Sequence, residues 1–262
     1  MRVFRIDRFD DPRIEDYRNV TDAEWVRRRG LFVAEGRLVV GRVIEDGHRV
    51  VSLLLNDAAF RALEQSIAVT PEETPVYICE TDAFNAITGF NLHRGCLALV
   101  ERPAERTAAE IADSSELVLV LEGVTDADNV GSVFRNAAAF GAGGVFLSPT
   151  CCDPLYRKAI RTSMGSVLRV PYARIEDWPA GLVMLKAKGF TLVALTPRES
   201  AIDLDACERH QRMAVIVGSE GPGLMPGTEA MADVCVRIPI HRKVDSLNLA
   251  TATGIALYCL RP

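Results

Sequence analysis

Residues able to do chemistry are concentrated in three segments of the C-terminal half of the chain, 121–141, 216–224 and 238–256. Each begins as a short apolar run, continues into a stretch rich in glycine, asparagine, serine or charge, and ends where a helix is expected. This order is typical of a strand, a loop and a helix in an α/β protein, whose ligands bind outside the carboxyl ends of the strands. We therefore expect a binding or catalytic site where the three segments meet.

The first segment, LEGVTDADNVGSVFRNAAAFG, gathers polar side chains on one side of a predicted helix over 129–140. At about 100° per residue, one arc of that helix is apolar and includes Val133 and Ala137. The opposite arc carries four polar residues, Asn129, Ser132, Arg135 and Asn136. The pattern fits a ligand-binding face, and it also fits the solvated face of an ordinary amphipathic helix with Asn129 as its N-cap.

The second segment, IVGSEGPGL, ends an apolar strand in Gly218, Gly221 and Gly223. Glycine lets a backbone turn tightly and approach a ligand closely. The loop is not a Walker A motif, because no Lys-Ser/Thr pair follows, and its G-x-x-G-x-G spacing is not the dinucleotide fingerprint. The residues alone leave a ligand cradle and a plain turn both open.

The third segment, IPIHRKVDSLNLATATGIA, runs from a strand through a charged loop into a helix predicted over 247–260. Ser246 lies where the N-cap of that helix is expected. Asn248 follows two residues later, at the open helix end where backbone N–H groups lack partners.

A basic stretch lies between Pro154 and Ile175 and contains no acidic residue. Its members are Arg157, Lys158, Arg161, Arg169 and Arg174. In a chain of net charge −5 such a cluster is a candidate for phosphate contacts. The alternative is a solvated helix face that pairs with acids elsewhere.

Composition excludes several classes of protein. With 262 residues, 48% hydrophobic and 25% charged, the chain is typical of a soluble globular protein with one or two domains. The charged start predicts no signal peptide, and no apolar run approaches the roughly 18–20 residues that span a bilayer. Seven cysteines without a C-x-x-C motif indicate reduced thiols in the cytoplasm, and the four histidines show no zinc spacing, so we expect no metal site.

The pattern of apolar runs predicts two α/β regions joined by a linker. Residues 1–100 are predicted to form a small α/β unit, residues 101–116 a linker, and residues 117–262 a domain of βα repeats. Near-continuous apolar strands that alternate with helices indicate a parallel sheet covered on both faces. The strands predicted in this domain are 117–123, 144–148, 167–172, 190–195, 213–218 and 234–240, and its helices are 129–140, 155–164, 176–188, 224–231 and 247–260.

Taken together, the three segments resemble motifs 1, 2 and 3 of the SpoU (TrmH-like) RNA ribose 2′-O-methyltransferases, in the knotted SPOUT superfamily. Two stretches of residues 1–100, FVAEGRLVV and FNLHRGCLALVE, look like the RNA-binding domain found ahead of many such domains. The resemblance implies a C-terminal SPOUT-type parallel-sheet domain with a trefoil knot, preceded by a small α/β RNA-binding domain. It also implies a homodimer formed through the C-terminal domain.

The resemblance assigns a role to individual residues. It implies catalytic roles for Asn129, Arg135, Glu220, Ser246 and Asn248, with Glu220 orienting Arg135. It implies that S-adenosyl-L-methionine is bound by Gly218, Ile238, Leu247, Leu195 and Thr196. It favours RNA contacts by Arg157, Lys158 and Arg161. The implied substrate is structured RNA, ribosomal RNA before transfer RNA.

The implied reaction moves a methyl group to a ribose 2′-hydroxyl, which requires in-line placement of the reacting atoms. A guanidinium stays protonated in proteins, so we expect Arg135 to stabilise developing alkoxide charge, while the proton leaves to an RNA phosphate or to water. Two alternatives stay open, a SPOUT methyltransferase acting on a base nitrogen and a catalytically silent RNA-binding protein of the same fold. The polar residues of the first segment favour ribose chemistry.

Overall fold

The computed structural model describes residues 2–88, 95–241 and 243–261. It divides into two compact units: unit 1 comprises Met1–Ala104 with Leu155–Gly165, and unit 2 comprises Glu105–Pro154 with Ser166–Pro262. Among the described residues, every helix is too short or too polar to cross a membrane. Residues 90–94 of the FNLHRGCLALVE stretch and Arg242 of the third segment lie outside the described residues.

The regular elements alternate along most of the chain. The strands are β1 (Arg2–Arg5), β2 (Leu31–Glu35), β3 (Val50–Leu55), β4 (Pro75–Ile78), β5 (Cys96–Glu101), β6 (Leu117–Glu122), β7 (Gly144–Leu147), β8 (Tyr172–Arg174), β9 (Thr191–Leu195), β10 (Ile202–Asp203), β11 (Met213–Gly218) and β12 (Val234–Arg237). The helices are α1 (Glu15–Arg18), α2 (Ala23–Arg28), α3 (Arg37–Glu45), α4 (Asp57–Ile67), α5 (Thr81–Thr88), α6 (Ala108–Asp113), α7 (Ala127–Ala139), α8 (Arg157–Thr162), α9 (Val183–Ala187), α10 (Pro226–Met231) and α11 (Leu249–Leu260).

Unit 1 is built on a five-stranded sheet of order β1-β4-β3-β5-β2. Strands β1, β4 and β3 are parallel, and β5 runs antiparallel to both β3 and β2. Its core includes Tyr17, whose hydroxyl shares a 2.7 Å hydrogen bond with Ser52 Oγ. Burial raises the pKa of Tyr17, so this phenol stays neutral and acts as a packed hydrogen-bonding group.

The segment Leu155–Gly165 belongs to unit 1, although the sequence places it within the predicted methyltransferase region. Helix α8 in this segment packs on β2, and Arg157 Nη1 donates to Glu35 Oε2 at 2.8 Å. Arg42 of α3 donates to the backbone carbonyl of Met164. The chain therefore leaves unit 2 after Pro154 and returns at Ser166, a path that local sequence patterns do not show.

Unit 2 is built on a seven-stranded sheet of order β10-β12-β9-β11-β6-β7-β8, with every neighbouring pair parallel. All six residues of β6 and all six of β11 are buried. Strands buried on both faces are the reason for their near-continuous apolar sequences. The predicted α/β domain with a parallel sheet is confirmed, while the trefoil knot stays a prediction.

Several element predictions are corrected by the structure. The stretch 167–172, predicted as a strand, forms a 3-10 turn over Ser166–Leu168, and the strand β8 begins only at Tyr172. The predicted linker 101–116 contains α6, whose first turn is closed by a capping box between Thr107 and Glu110. Ile111 and Ala112 of α6 are buried in the core of unit 2, so this stretch is part of the domain.

Candidate active site

The loop after β11 is held in a tight fold by its glycines. Gly221 and Gly223 have φ of +88° and +71°, a region that L side chains rarely adopt. Gly223 N donates to Ser219 O at 3.1 Å, which folds the loop back over Gly218. A Cβ at Gly218 would overlap the backbone of Gly223, so only glycine fits at the end of this strand. This loop, Gly218–Leu224, is called the glycine loop below.

Four neighbouring strands end at the same edge of the sheet, where the predicted site residues lie. Strands β12, β9, β11 and β6 lie side by side and run parallel, so their carboxyl ends meet at that edge. Gly218 at the end of β11 is in register with Glu122 at the end of β6. The three predicted segments follow three of these strands, which explains why residues so far apart in sequence come together.

A cavity of about 630 Å³ lies beside the glycine loop. Eight of the residues predicted to form the site line it: Leu195, Thr196, Gly218, Glu220, Ile238, Ser246, Leu247 and Asn248. Asn129 and Arg135 are not part of its lining. Asp245 and Ile240 also line the cavity and are not among the sequence-predicted residues.

Asn248 joins the three segments through its side-chain amide. Its Nδ2 donates to Asn129 Oδ1 at 3.2 Å and to Glu220 Oε1 at 3.0 Å. Its Oδ1 accepts from the backbone N–H of Ala250 at 3.0 Å and of Thr251 at 3.3 Å. Asn248 is therefore the N-cap of α11, and the predicted cap at Ser246 is wrong. Both residues are good caps, but only the asparagine side chain reaches the open amides.

Asn129 does not cap its helix either. The N-cap of α7 is Asp126, whose carboxylate accepts from Asn129 N at 2.9 Å. Asn129 lies within the first turn of α7 and is only 9% exposed, and its Oδ1 accepts from Asn248. A buried amide needs such a partner, and the bond brings the first and third segments into contact.

Arg135 is exposed on α7, and the described residues offer it no hydrogen bond or ion pair. Glu220, implied to orient Arg135, instead accepts from Asn248 and, at 3.5 Å, from Leu249 N at the start of α11. The carboxylate thus lies at the positive end of a helix, where negative charge is favoured. Arg135 keeps its donors available toward solvent.

Asn136, on the polar arc of α7, holds α7 against α11. Its Nδ2 donates to Ala250 O at 2.6 Å, and Gly254 leaves room for the Asn136 side chain. Phe140 and Tyr258 add an edge-to-face ring contact with centroids 6.1 Å apart. The position of Asn129 relative to Asn248 depends on this packing between the two helices.

A buried carboxylate lies under the glycine loop. Glu122 at the end of β6 is 4% exposed and accepts from Trp178 Nε1 at 2.5 Å, Thr228 Oγ1 at 2.5 Å and Met225 N at 2.8 Å. Glu122 is not among the sequence-predicted site residues. The available signal was an acidic residue closing an otherwise apolar strand, which predicts a buried charge in need of partners.

Two of the basic residues predicted to contact RNA pair with one acid inside unit 1. Arg157 Nη1 and Arg161 Nη1 lie 2.8 Å and 3.4 Å from the Glu35 carboxylate. The side chain of Glu35 is 11% exposed, that of Arg157 20% and that of Arg161 51%. About half of the Arg161 side chain is therefore accessible to solvent, whereas Arg157 is mostly enclosed. Lys158 of the same helix is half-buried.

Arg174, at the end of the basic stretch, serves the structure of unit 2. Its Nη1 donates to the backbone carbonyls of Ser148 and Pro149 at 2.8 Å and 2.9 Å. Ser148 Oγ in turn accepts from Gly123 N at 2.9 Å, within the first segment. Arg174 thus stabilises the turn at Ser148 and Pro149, and Ser148 in turn binds the backbone of the first segment at Gly123.

Two of the thiols, Cys152 and Cys96, are poor nucleophiles because they are withdrawn from water. Burial raises the pKa of Cys152 to about 11 and that of Cys96 to about 12, so both are protonated at neutral pH. Within the described ranges, no group of three or more His, Cys, Asp and Glu side chains is placed to hold a metal ion.

The fold is that of an α/β protein with a cavity at the carboxyl edge of a parallel sheet, and comparison identifies its family. The model of the SpoU rRNA methylase family matches residues 116–258, more than half of the chain. The chain therefore belongs to the SpoU rRNA methylase family and is a methyltransferase. The family predicted from the three segments is confirmed.

Relatives cover both units. An uncharacterized tRNA/rRNA methyltransferase of Mycobacterium bovis is 42% identical over 258 residues, 95% of this chain and 88% of that protein. The 23S rRNA (guanosine(2553)-2′-O)-methyltransferase of Bacillus subtilis is 25% identical over 259 residues, 98% of this chain and 99% of that protein. The crystal structure of an rRNA methyltransferase from Sinorhizobium meliloti, 26% identical, has a TM-score of 0.85 and covers 99% of this chain and 97% of that one.

Proposed function

We propose that this protein transfers the methyl group of S-adenosyl-L-methionine to a ribose 2′-hydroxyl in structured RNA. The observation that carries the proposal is the contact among Asn129, Glu220 and Asn248 beside the cavity of the glycine loop. This contact brings together one residue from each of the three segments. Arg135, on the same helix as Asn129, supplies an exposed guanidinium.

The cavity fits the cofactor in size and chemistry. Small-molecule sites are usually about 300–1,000 Å³, apolar, with a few polar groups. Ile238, Ile240 and Leu247 offer apolar surface for a base, and the carboxylates of Glu220 and Asp245 favour a cationic ligand. The absence of a Cβ at Gly218 allows the loop backbone to form one wall of the cavity.

When bound, S-adenosyl-L-methionine supplies an electrophilic methyl group on a sulfonium. The residues of this chain place the RNA hydroxyl and stabilise charge on it. Arg135 stabilises the negative charge that develops on the ribose oxygen, because its guanidinium remains a cation with several donors. Asn129 and Asn248 fix the position of α7 relative to α11, and Ser246 faces the substrate. The proton leaves to an RNA phosphate or to water.

The substrate class is supported by the relatives. The Bacillus subtilis relative is named for 2′-O-methylation of guanosine in 23S rRNA, and the Mycobacterium bovis relative is named as a tRNA/rRNA methyltransferase. Ribosomal RNA is therefore the first candidate and transfer RNA the second, in a cytoplasmic setting. Unit 1 binds the RNA, with phosphate contacts from Lys158 and Arg161 of α8 and a smaller part for the enclosed Arg157.

A homodimer through unit 2 forms part of the proposal. The outer face of α11 exposes Ile255 (36%) and Tyr258 (57%), and Arg261 stacks on the Tyr258 ring at 3.9 Å. Exposed aromatic and aliphatic side chains on one helix favour a protein interface. Light scattering should report twice the chain mass for the wild type and a monomer for Tyr258→Glu; a wild-type monomer would contradict the dimer.

The test of the reaction uses methyl-labelled S-adenosyl-L-methionine and total RNA from cells that lack this gene. The labelled RNA is digested with alkali. A 2′-O-methyl group blocks cleavage at its own linkage, so the label should appear in dinucleotides. Mapping the protected position then identifies the RNA.

Each other outcome supports a different function. Label released as mononucleotides would indicate methylation of a base nitrogen. Tight RNA binding without any transfer, by a protein that also fails to bind the cofactor, would indicate a silent RNA-binding protein. Heat-denatured protein is the control for non-enzymatic methylation, and RNA from wild-type cells is the control for sites already modified.

A further inference from the structure

Glu122 places a carboxylate directly beneath the glycine loop. It ends β6, is 4% exposed and lies in register with Gly218, the first residue of that loop. A carboxylate withdrawn from water this far is costly unless hydrogen bonds compensate. Three donors converge on it, from Trp178, Met225 and Thr228.

These donors connect Glu122 to the far end of the loop. Met225 is the residue after Leu224 and the N-cap of α10, and its backbone N–H donates to Glu122 Oε2. Thr228 lies one turn further along α10 and donates to Oε1, as does Trp178. The loop is therefore fixed at its start by the ladder between β11 and β6 and at its end by the Glu122 carboxylate.

We propose that Glu122 is a positioning residue for the cofactor: it holds the glycine loop in the folded form that walls the cavity. Glu122 does not line the cavity, so it acts through the backbone at Met225. Without this anchor, binding must also order the loop, and affinity falls by the cost of that ordering. The inference rests on the proposed function only in assigning S-adenosyl-L-methionine to this cavity.

Glu122→Gln tests the anchor with almost no change in volume. Met225 N and Trp178 Nε1 can only donate, so either orientation of the glutamine amide turns its own donors toward one of them. The dissociation constant for S-adenosyl-L-methionine, measured by calorimetry, should rise about tenfold, the size expected from one mismatched buried hydrogen bond. The KM for the cofactor should rise in parallel, while kcat at saturating cofactor falls less than about threefold and the KM for RNA stays the same.

Arg212→Met is the matched control for lost stability. Arg212 stacks on Phe190 at 4.2 Å and donates to Ser115 O at 2.9 Å. These residues lie at the amino ends of the strands, the end of the sheet opposite to the cavity. This variant should unfold at lower temperature and bind the cofactor as the wild type does. If Glu122→Gln raises the dissociation constant no more than Arg212→Met does, the inference is overturned.

Thr228→Val keeps the test decisive if Glu122→Gln does not fold. It removes one donor to the same carboxylate at nearly constant volume, and the dissociation constant should rise about threefold. An unchanged constant in a folded Thr228→Val protein would overturn the inference. If the wild type itself does not bind S-adenosyl-L-methionine, the cofactor assignment fails instead, so the two failures are distinguishable.

Discussion

Arg135 in unit 2 and the two arginines of α8 in unit 1 carry the same group in different surroundings. Arg135 is exposed, and the described residues offer it no hydrogen bond or ion pair. Arg157 and Arg161 both lie against Glu35, at 2.8 Å and 3.4 Å. A guanidinium whose donors are unused inside the protein keeps them for a ligand, whereas one paired with an enclosed carboxylate helps to hold the fold.

The role expected of each arginine therefore follows from its contacts inside the protein. The charge of Arg157 is largely balanced by Glu35, so its contribution to RNA binding should be small. Arg161, 51% exposed at its side chain, is intermediate between Arg157 and Arg135. Substitution of Arg135 should impair catalysis, substitution of Arg157 should lower stability, and substitution of Arg161 should lower RNA affinity.

The largest effect is expected at Arg135. Arg135→Ala should lower the single-turnover rate by about 10²–10³, as for removal of one donor to a developing oxyanion. The cofactor dissociation constant should change less than about twofold, because Arg135 does not line the cavity. Arg135→Lys should also fail, since an ammonium does not reproduce a planar fork. Arg209→Ala, at another exposed arginine of unit 2, is the control; a wild-type rate in Arg135→Ala would remove Arg135 from the chemistry.

Among these substitutions, the largest loss of stability is expected when the ion pair between Arg157 and Glu35 is broken. Arg157→Gln leaves an enclosed carboxylate whose remaining ion pair, among the described residues, is the longer one to Arg161, and the free energy of unfolding should fall by about 1–3 kcal/mol. Urea denaturation of Arg157→Gln, Glu35→Gln and the double variant measures the coupling. A coupling free energy near zero, with the two single effects simply additive, would show that the ion pair does not hold α8 on β2.

The fold of unit 2 was largely predictable, because buried parallel strands have apolar sequences and loops rich in glycine or polar residues follow them. The residues that cap the helices were not predictable in the same way. Ser246 and Asn248 are both acceptable caps, as are Asp126 and Asn129, and the choice depends on which side chain reaches the open amides. Glu122 was missed because its partners, from Trp178 to Thr228, are distant in sequence. The same holds for Glu35, whose partners are more than 120 residues away.

Asn248 in unit 2, like Glu35 in unit 1, uses its side-chain polar atoms in contacts inside the protein. Asn248→Ala removes the cap of α11 and the contacts to Asn129 and Glu220, so stability should fall by about 1 kcal/mol and turnover with it. Ser246→Ala should leave stability within about 0.5 kcal/mol, as for a surface substitution. Thermal unfolding of the two variants, measured side by side, decides between the caps; a larger loss in Ser246→Ala would contradict the structure.

The smallest effect is expected in RNA binding, where the comparison between paired and exposed arginines is sharpest. Replacing Arg157, Lys158 and Arg161 together by glutamate would place two carboxylates against Glu35, at positions 157 and 161, so any decrease in affinity would be mixed with unfolding. Substitution by glutamine removes the positive charges without adding negative charges beside Glu35. Arg161→Gln with Lys158→Gln should lower the slope of log affinity against log salt by roughly 0.7–0.9 for each phosphate that the protein no longer neutralises.

Arg157→Gln should leave the slope nearly unchanged in molecules that remain folded, because its charge is already balanced by Glu35. Arg61→Gln, an exposed arginine on α4, controls for the removal of one positive charge from unit 1. Cofactor affinity should stay at the wild-type value in all of these variants, since the cavity is lined by residues of unit 2. A slope that falls equally for Arg157→Gln and for the Arg161 double variant would show that pairing with an internal acid does not withdraw an arginine from the RNA. An unchanged slope in every variant would move the phosphate contacts to other residues of the protein.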